Sequence, residues 1–284
     1  MLCHHPVRTR ASGKAEKRQR SKQRSKSRAL GICIRGPRVI SFRGVKKSFG
    51  EKHVLRGVSF DVGDGEVFFI IGGSGVGKSV LIKHLIGLLY PDEGEIWLDG
   101  EEVSRFDEAR MFAVRKKCAM VFQHSTLFDS MTCAENVALP LRKHHNLKMR
   151  KALTEAKRRL EQVQMLEFAD RFPPELGDGM RKRVAIARAL TLEPRYVLFD
   201  EPTTSLDPVS ARRVDKLIRE LSDTLGVTSI VVSHDLVSIF TIADRIVMLY
   251  QGLVRLLGDR GVFQGSEDPI VQQFITGRAE GPIE

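Results

Sequence analysis

Two short stretches bring together residue types suited to phosphate chemistry. The first, GGSGVGKS, runs Gly72, Gly73, Ser74, Gly75, Val76, Gly77, Lys78 and Ser79 in the spacing G-x-x-x-x-G-K-[ST], with Val80 next at the head of a helical pattern. Glycines let a backbone curl so that successive N–H groups face one anion, and the helix behind adds the positive end of its dipole. At the end of such a loop a lysine reaches the β- and γ-phosphates and a serine hydroxyl ligates Mg2+. The bland reading is a Gly-rich turn, but the strand before it and the helix after it favour a phosphate loop. The second stretch, YVLFDEP, delivers Asp200 and Glu201 at the end of an apolar run. A parallel sheet gathers its ligands at the carboxyl ends of its strands. There Asp200 would hold Mg2+ and Glu201 would polarise an attacking water as general base. Alone, an apolar strand ending in two acids is an ordinary capped turn; downstream of a phosphate loop the pair gains weight.

These residues need elements to position them. VISFRGV, HVLRGVSFDV and EVFFII read as short strands, with a turn at Gly63-Asp64-Gly65, and EIWLDG is a further strand. Helical spacing covers Lys78 to Leu88, Lys148 to Glu167 and Arg181 to Leu190. The last third alternates: strand YVLFD, helix from Val209 to Leu225, strand TSIVVS, helix from Leu236, strand RIVMLY. Such alternation predicts an α/β fold, a parallel sheet covered by helices. No internal repeat is visible.

The net charge of +11 sits largely in a tail: residues 1 to 28 hold ten Lys/Arg against one acid, Glu16, and the rest of the chain is nearly neutral. Few apolar residues and dense charge predict disorder over 1–36. Four readings of this tail stand: a solvated run, a start upstream of the true one, contact with anionic lipid or nucleic acid, and a transit peptide, which the absence of an apolar face disfavours. Cys3, Cys33, Cys118 and Cys133 form no CxxC pair and no metal spacing, so reduced thiols are expected. No apolar run approaches the ~20 residues that cross a bilayer, which predicts a soluble or peripheral chain.

Three further residues fall in order along the chain: Gln123 ending the strand AMVFQ, Asp207 within SLDP, and His234 ending the strand TSIVVSH. Each is weak alone, since a lone His after a strand is usually a core or surface residue. With GGSGVGKS before them and Asp200-Glu201 among them, the order resembles the ATP-binding cassette of ABC proteins over about residues 38 to 260. The resemblance implies a P-loop NTPase fold with a RecA-like parallel-sheet core, an antiparallel β subdomain and a helical subdomain at about 125–190, the whole domain spanning 37–260 with a C-terminal extension at 261–284. It implies ATP and Mg2+ as cofactors, with Phe49 stacking on adenine, Gln123 linking Mg2+ and water to a groove for a membrane partner, and His234 touching the γ-phosphate. It also implies a head-to-tail homodimer, each ATP lying between one phosphate loop and the partner's signature and D-loop, here Gly177, Asp178, Gly179 and Asp207.

Downstream of Gln123 the chain reads HSTLFDSMTCAENVALPLR, and it ends in QQFITGRAEGPI. Both are similar to the Mla-type phospholipid-transport ATPases, whose C-terminal extension implies contact with the neighbouring ATPase subunit. That group implies an integral-membrane permease, an MCE-type lipid-binding protein and, in some members, a small STAS-domain subunit. The implied place is the cytoplasmic face of the inner membrane, peripherally, or the stromal side of a plastid inner envelope. The alternatives are an ATPase of an amino-acid or other solute importer, and a soluble ABC ATPase acting on ribosomes or DNA. One cassette without a long coiled-coil insert argues against the latter, and so against nucleic acid as partner. A scaffold cassette that only binds ATP is a third option, raised by ELGDGM at Glu175 to Met180. Against the family's LSGGM or LSGGQ, Leu176 and Gly179 match, Gly177 replaces the serine and Asp178 the first glycine. Asp is a favoured N-cap, so Asp178 is expected to turn its carboxylate back onto the amides of the helix that follows.

Overall fold

The computed structural model describes residues 37–283, so the basic segment, with Cys3 and Cys33, lies outside the described residues. Two long strands, β1 (Arg38–Phe49) and β2 (Lys52–Gly63), form a hairpin. With β4 (Glu93–Leu98) and the short β5 (Glu101–Glu102) they make an antiparallel sheet in the order β2-β1-β4-β5. A second sheet, in the order β10-β9-β3-β8-β7-β6, contains β3 (Val67–Ile71), β6 (Cys118–Val121), β7 (Tyr196–Asp200), β8 (Thr228–Val232), β9 (Arg245–Tyr250) and β10 (Leu253–Gly258). Its strands pair in parallel except for the β9–β10 hairpin.

The central strands β3, β7 and β8 are buried along their whole length, as continuous apolar runs in a doubly covered sheet should be. Their side chains alternate between two cores. Val67, Phe69, Ile71, Val197, Phe199 and Val231 face a helical layer; Phe68, Ile70, Tyr196, Leu198, Ile230 and Val232 face the core shared with the antiparallel sheet. The helical layer comprises α3 (Cys133–His145), α4 (Met149–Gln162), α5 (Asp178–Leu190) and α6 (Pro208–Leu225), and Val137, Ala156, Leu160, Ile186 and Ile218 are fully buried within it. On the other face lie α1 (Lys78–Leu85) and α2 (Glu108–Lys117), through Leu81, Ile82, Leu85 and Met111.

Several elements depart from the pattern read off the sequence. Helix α1 stops at Leu85 rather than Leu88, because Gly87 takes a left-handed φ of 66°. Helix α4 stops at Gln162, where Gln164 at φ 57° reverses the chain, and only Leu166–Phe168 continue, as a 3-10 turn. Helices α2 and α3 were not anticipated. Thr132 and Glu135 begin α3 with a reciprocal capping box, while Pro140 inside it interrupts the helical pattern. Three short C-terminal elements complete the fold: α7 (Leu236–Ile242), α8 (Arg260–Gln264) and α9 (Pro269–Thr276). The closing residues fold back, with the Gln273 amide donating to Ile283 O (3.0 Å) and accepting from Ile283 N (2.6 Å). Ile270 and Val271 of α9 pack into the core on the helical side of the parallel sheet.

Candidate functional site

The phosphate loop leaves the carboxyl end of β3 and enters α1 through Gly77, at φ 101°. At Gly72 the chain can accept only glycine: φ is 140° and a Cβ there would lie 2.3 Å from Leu249 O of the neighbouring strand. Lys78, buried, donates from Nζ to Gly72 O (2.8 Å) and Gly73 O (2.9 Å). Burial lowers its pKa, and the Glu201 and Asp200 carboxylates oppose that shift.

Helix α1 also places Ser79, whose Oγ donates to Asp200 Oδ1 at 2.5 Å. Asp200 is the buried last residue of β7, and Glu201 follows at a left-handed φ of 51°, its N–H donating to Val232 O (2.9 Å). A non-glycine residue held there costs about 1–3 kcal/mol, strain that recurs at functional sites. Glu201 Oε2 accepts from Thr204 Oγ1 (3.0 Å) and lies 2.9 Å from His234 Nδ1. Thus the ends of β3, β7 and β8 converge, as a parallel sheet dictates.

A cleft of about 740 Å3 collects Phe49, Gly72–Gly75, Gly77, Lys78, Ser79, Val80, Gln123, Glu201 and His234. Phe49 is half exposed at its rim, with Lys47 Nζ 5.6 Å from its ring centroid. Val76 is the exception within the loop, since its side chain packs against the core shared by the two sheets instead of lining the cleft. Gln123 and His234 each sit two residues beyond their strands rather than ending them. The cleft also takes Lys52, Val54, Thr204 and Phe274, which the sequence reading missed. Thr204, three residues after Glu201, was within local reach; Phe274 arrives from α9 with no local signal.

Gly177, Asp178, Gly179 and Asp207 do not join this cleft. They line a second cavity of about 660 Å3 with Ser205, Leu206 and Arg183. Asp207 caps α6, accepting from Val209 N (3.0 Å) and Ser210 N (2.9 Å), and hydrogen bonds from Ser210 lower its pKa. A Cβ on Gly179 would meet Ser210 Cβ at 2.8 Å, so this glycine allows two helix N-termini to touch. The expected cap is corrected here: Gly177, at φ −68° and ψ 161°, is the N-cap of α5, and Asp178 is its first helical residue. The chain turns helical one residue before a cap at Asp178 would allow. The Asp178 carboxylate pairs instead with Arg181.

The donor set fits Mg2+: Ser79 Oγ and Asp200 Oδ1 are hard oxygens side by side, Gln123 lines the same cleft, and one carboxylate leaves positions for phosphate oxygens and water. Among the described residues no group of three or more His, Cys, Asp or Glu could hold a metal ion.

A phosphate loop and an Asp–Glu pair at the carboxyl end of a parallel sheet, with an antiparallel sheet and a helical layer, define the P-loop NTPase class. The family model for ABC transporters matches residues 55–204, and the chain belongs to this family of ATP hydrolases. It is 38% identical over 245 residues to the intermembrane phospholipid transport system ATP-binding protein MlaF of Escherichia coli K12, spanning 86% of this chain and 91% of that one. The chloroplastic protein TRIGALACTOSYLDIACYLGLYCEROL 3 of Arabidopsis thaliana is 38% identical over 262 residues (86% and 75%). The probable ribonucleotide transport ATP-binding protein mkl of Mycobacterium leprae is 36% identical over 244 residues (86% and 70%). Among solved structures, a dimeric ATP-binding cassette in a post-hydrolysis state with ADP and Pi superposes with a TM-score of 0.71 at 31% identity, covering 78% of this chain and 98% of that one. A cassette of Clostridium perfringens from the CbiONQ transporter complex gives 0.74 at 28% identity (80% and 91%).

Proposed function

We propose that this chain is the ATP-hydrolysing subunit that drives phospholipid transport between membranes. It works as a homodimer under an integral-membrane permease with an MCE-type lipid-binding partner, and a small STAS-domain subunit is a further partner of this group. The identity to MlaF across 91% of that protein carries the substrate class. Among the described residues no helix is long and apolar enough to cross a membrane. In this reading the permease forms the membrane path and this chain docks on it peripherally. A cytoplasmic membrane face suits the MlaF likeness and a plastid stromal face the Arabidopsis one.

The chemistry follows from the cleft. Phe49 offers a half-exposed ring for adenine, and Lys78 and the loop amides meet the phosphates. Ser79, Asp200 and Gln123 would hold Mg2+, which would supply positive charge against the phosphates. Glu201 takes a proton from the attacking water: Thr204 and His234 both fall on Oε2, which leaves Oε1 for that water. His234, beside Glu201 in the same cleft, would also touch the γ-phosphate. Across the dimer, Gly177 and Gly179 bring backbone N–H groups to the partner's ATP, and Asp207 lies beside them. Glu201→Gln should bind ATP, hydrolyse it at least about a hundredfold more slowly and accumulate as a closed dimer that co-purifies from membranes with a multi-span permease. Turnover at the parent rate would remove Glu201 from its role; a partner-free protein would remove the transport reading.

A further inference from the structure

The loop that holds Gln123 is fastened to the signature helix by two cations. Lys182, on α5 four residues after Asp178, is only 2% exposed. Its Nζ donates to Phe122 O (3.1 Å) and to Gln123 O (2.5 Å). Farther along the same helix, Arg188 donates from Nη1 to Thr126 O (2.8 Å), and from Nη2 to Ser125 O (3.2 Å) and Thr126 Oγ1 (3.1 Å). Burying an ammonium is costly unless its protons are taken up. Here backbone carbonyls of the Gln loop take them up. Val184, Ile186, Ala187 and Leu190 give α5 a buried apolar face in addition to these polar ties.

We propose that Lys182, assisted by Arg188, is a positioning residue that locks the Gln loop to the signature helix. Gln123, on the metal side of one ATP site, then moves as one body with Gly177–Gly179, which close over the partner's ATP. The inference rests on the proposed homodimer and on Gln123 as a metal ligand. The geometry gives the coupling little slack: Lys182 lies one helical turn from the signature glycines on a continuous helix, and it grips the carbonyl of Gln123 itself. Any tilt of α5 on closure is passed to the Gln123 backbone.

The test uses the Glu201→Gln protein, so that binding is read without hydrolysis. Affinity for a fluorescent ATP analogue is measured with Mg2+ and with EDTA. Lys182→Met, of similar length but without charge or donors, should leave the EDTA affinity within about twofold and cut the Mg2+-dependent gain about tenfold, the scale of losing support behind a metal ligand. Gln123→Ala should give the same signature, Lys182→Arg should restore part of the gain, and Arg188→Gln should move it the same way by less. Equal loss with Mg2+ and with EDTA, or an intact gain, would overturn the lock. Should Lys182→Met fail to fold, Arg188→Gln carries the same two readings. A parent with no Mg2+-dependent gain defeats the ATPase reading together with the lock; a parent with the gain, retained in both variants, defeats the lock alone.

Discussion

Replacing Gly177 with serine tests the proposal that each subunit lends half of an ATP site to its partner. The position has room: an added Cβ meets no atom within 4 Å, and φ −68° with ψ 161° is already N-cap geometry. No side chain caps α5 now, so a serine oxygen can accept from the amides of the first turn, a gain over glycine of only a few tenths of a kcal/mol. A hydroxyl has one proton and two lone pairs, so it can accept from its own helix while donating to the partner's γ-phosphate. That charged hydrogen bond is worth about 1.5–3 kcal/mol. A symmetric dimer gains it twice, so ATP-dependent dimerisation should tighten by about a hundredfold or more if the two sites add. Asp178 stays as it is in this test, because Arg181 already pairs with its carboxylate. Sedimentation equilibrium of Glu201→Gln and Glu201→Gln/Gly177→Ser, with Mg-ATP and with Mg-ADP, reads the difference. Gly177→Ala is the control, which adds the Cβ without the hydroxyl and is a poor cap. An unchanged dissociation constant for the serine protein, or equal tightening by alanine, would refute the assignment of this face to the partner's phosphate.

Gly72→Ala places a Cβ 2.3 Å from Leu249 O at a φ of 140°, so the loop must leave its path; ATP affinity should fall more than about tenfold, and parent-like binding of a fluorescent ATP analogue would count against the loop geometry. Thr204→Val removes one hydrogen bond to Glu201 and should lower kcat about tenfold with KM unchanged; a rise in KM alone would place Thr204 in nucleotide binding instead. Asp215 is buried beside Arg212, Ser238 and Asp235, and desolvation raises its pKa from 3.8 to about 6. Between those values the folded chain keeps a proton that the unfolded chain has lost, so this group contributes stability at low pH that disappears as pH rises through about 6. Asp215→Asn should therefore gain on the parent by about 2–3 kcal/mol between pH 4 and pH 7; a difference between their melting temperatures that stays constant over that range would exclude the titration.

How much of this was legible in the sequence depended on whether the signal was local. The phosphate loop, the acidic pair and the strands that carry them are each encoded within a few residues, because a buried parallel strand is a continuous apolar run and its ligands follow at its carboxyl end. Helix α3 was passed over although its signals are local: Thr132-x-x-Glu135 is a readable capping box, and Cys133, Ala134, Val137, Ala138 and Leu141 form its buried face, with Pro140 inside the run as the residue that argues against a helix. The start of α5 was misplaced because Asp is a better cap than Gly by side-chain chemistry, yet packing decides. Gly179 sits where a Cβ would meet Ser210 at 2.8 Å, so the first turn of the helix is tightly packed against its neighbour. Phe274, Lys182 and Arg188 act on residues 59 or more positions away or enter the cleft from another element, and no short window of sequence contains both partners.

The same contacts explain why ELGDGM reads as an altered signature rather than a ruined one. Leu176 is buried and Gly179 is wedged against Ser210, so changes at either would move the helix itself. The two positions that depart from LSGGM are the ones with space: Gly177 has nothing within 4 Å of a would-be Cβ, and the Asp178 side chain is 60% exposed and paired within its own helix turn. A chain drifting towards a scaffold has no reason to confine its departures to positions that leave α5, the Gln loop and the Glu201 cluster undisturbed. The cleft that holds Lys78 and Glu201 is anchored at the ends of three buried strands, whereas the contribution proposed for the partner's site hangs on one helix N-terminus. On the proposed dimer, altered residues at that terminus would change how tightly two subunits close and leave Lys78, Ser79, Asp200 and Glu201 in place.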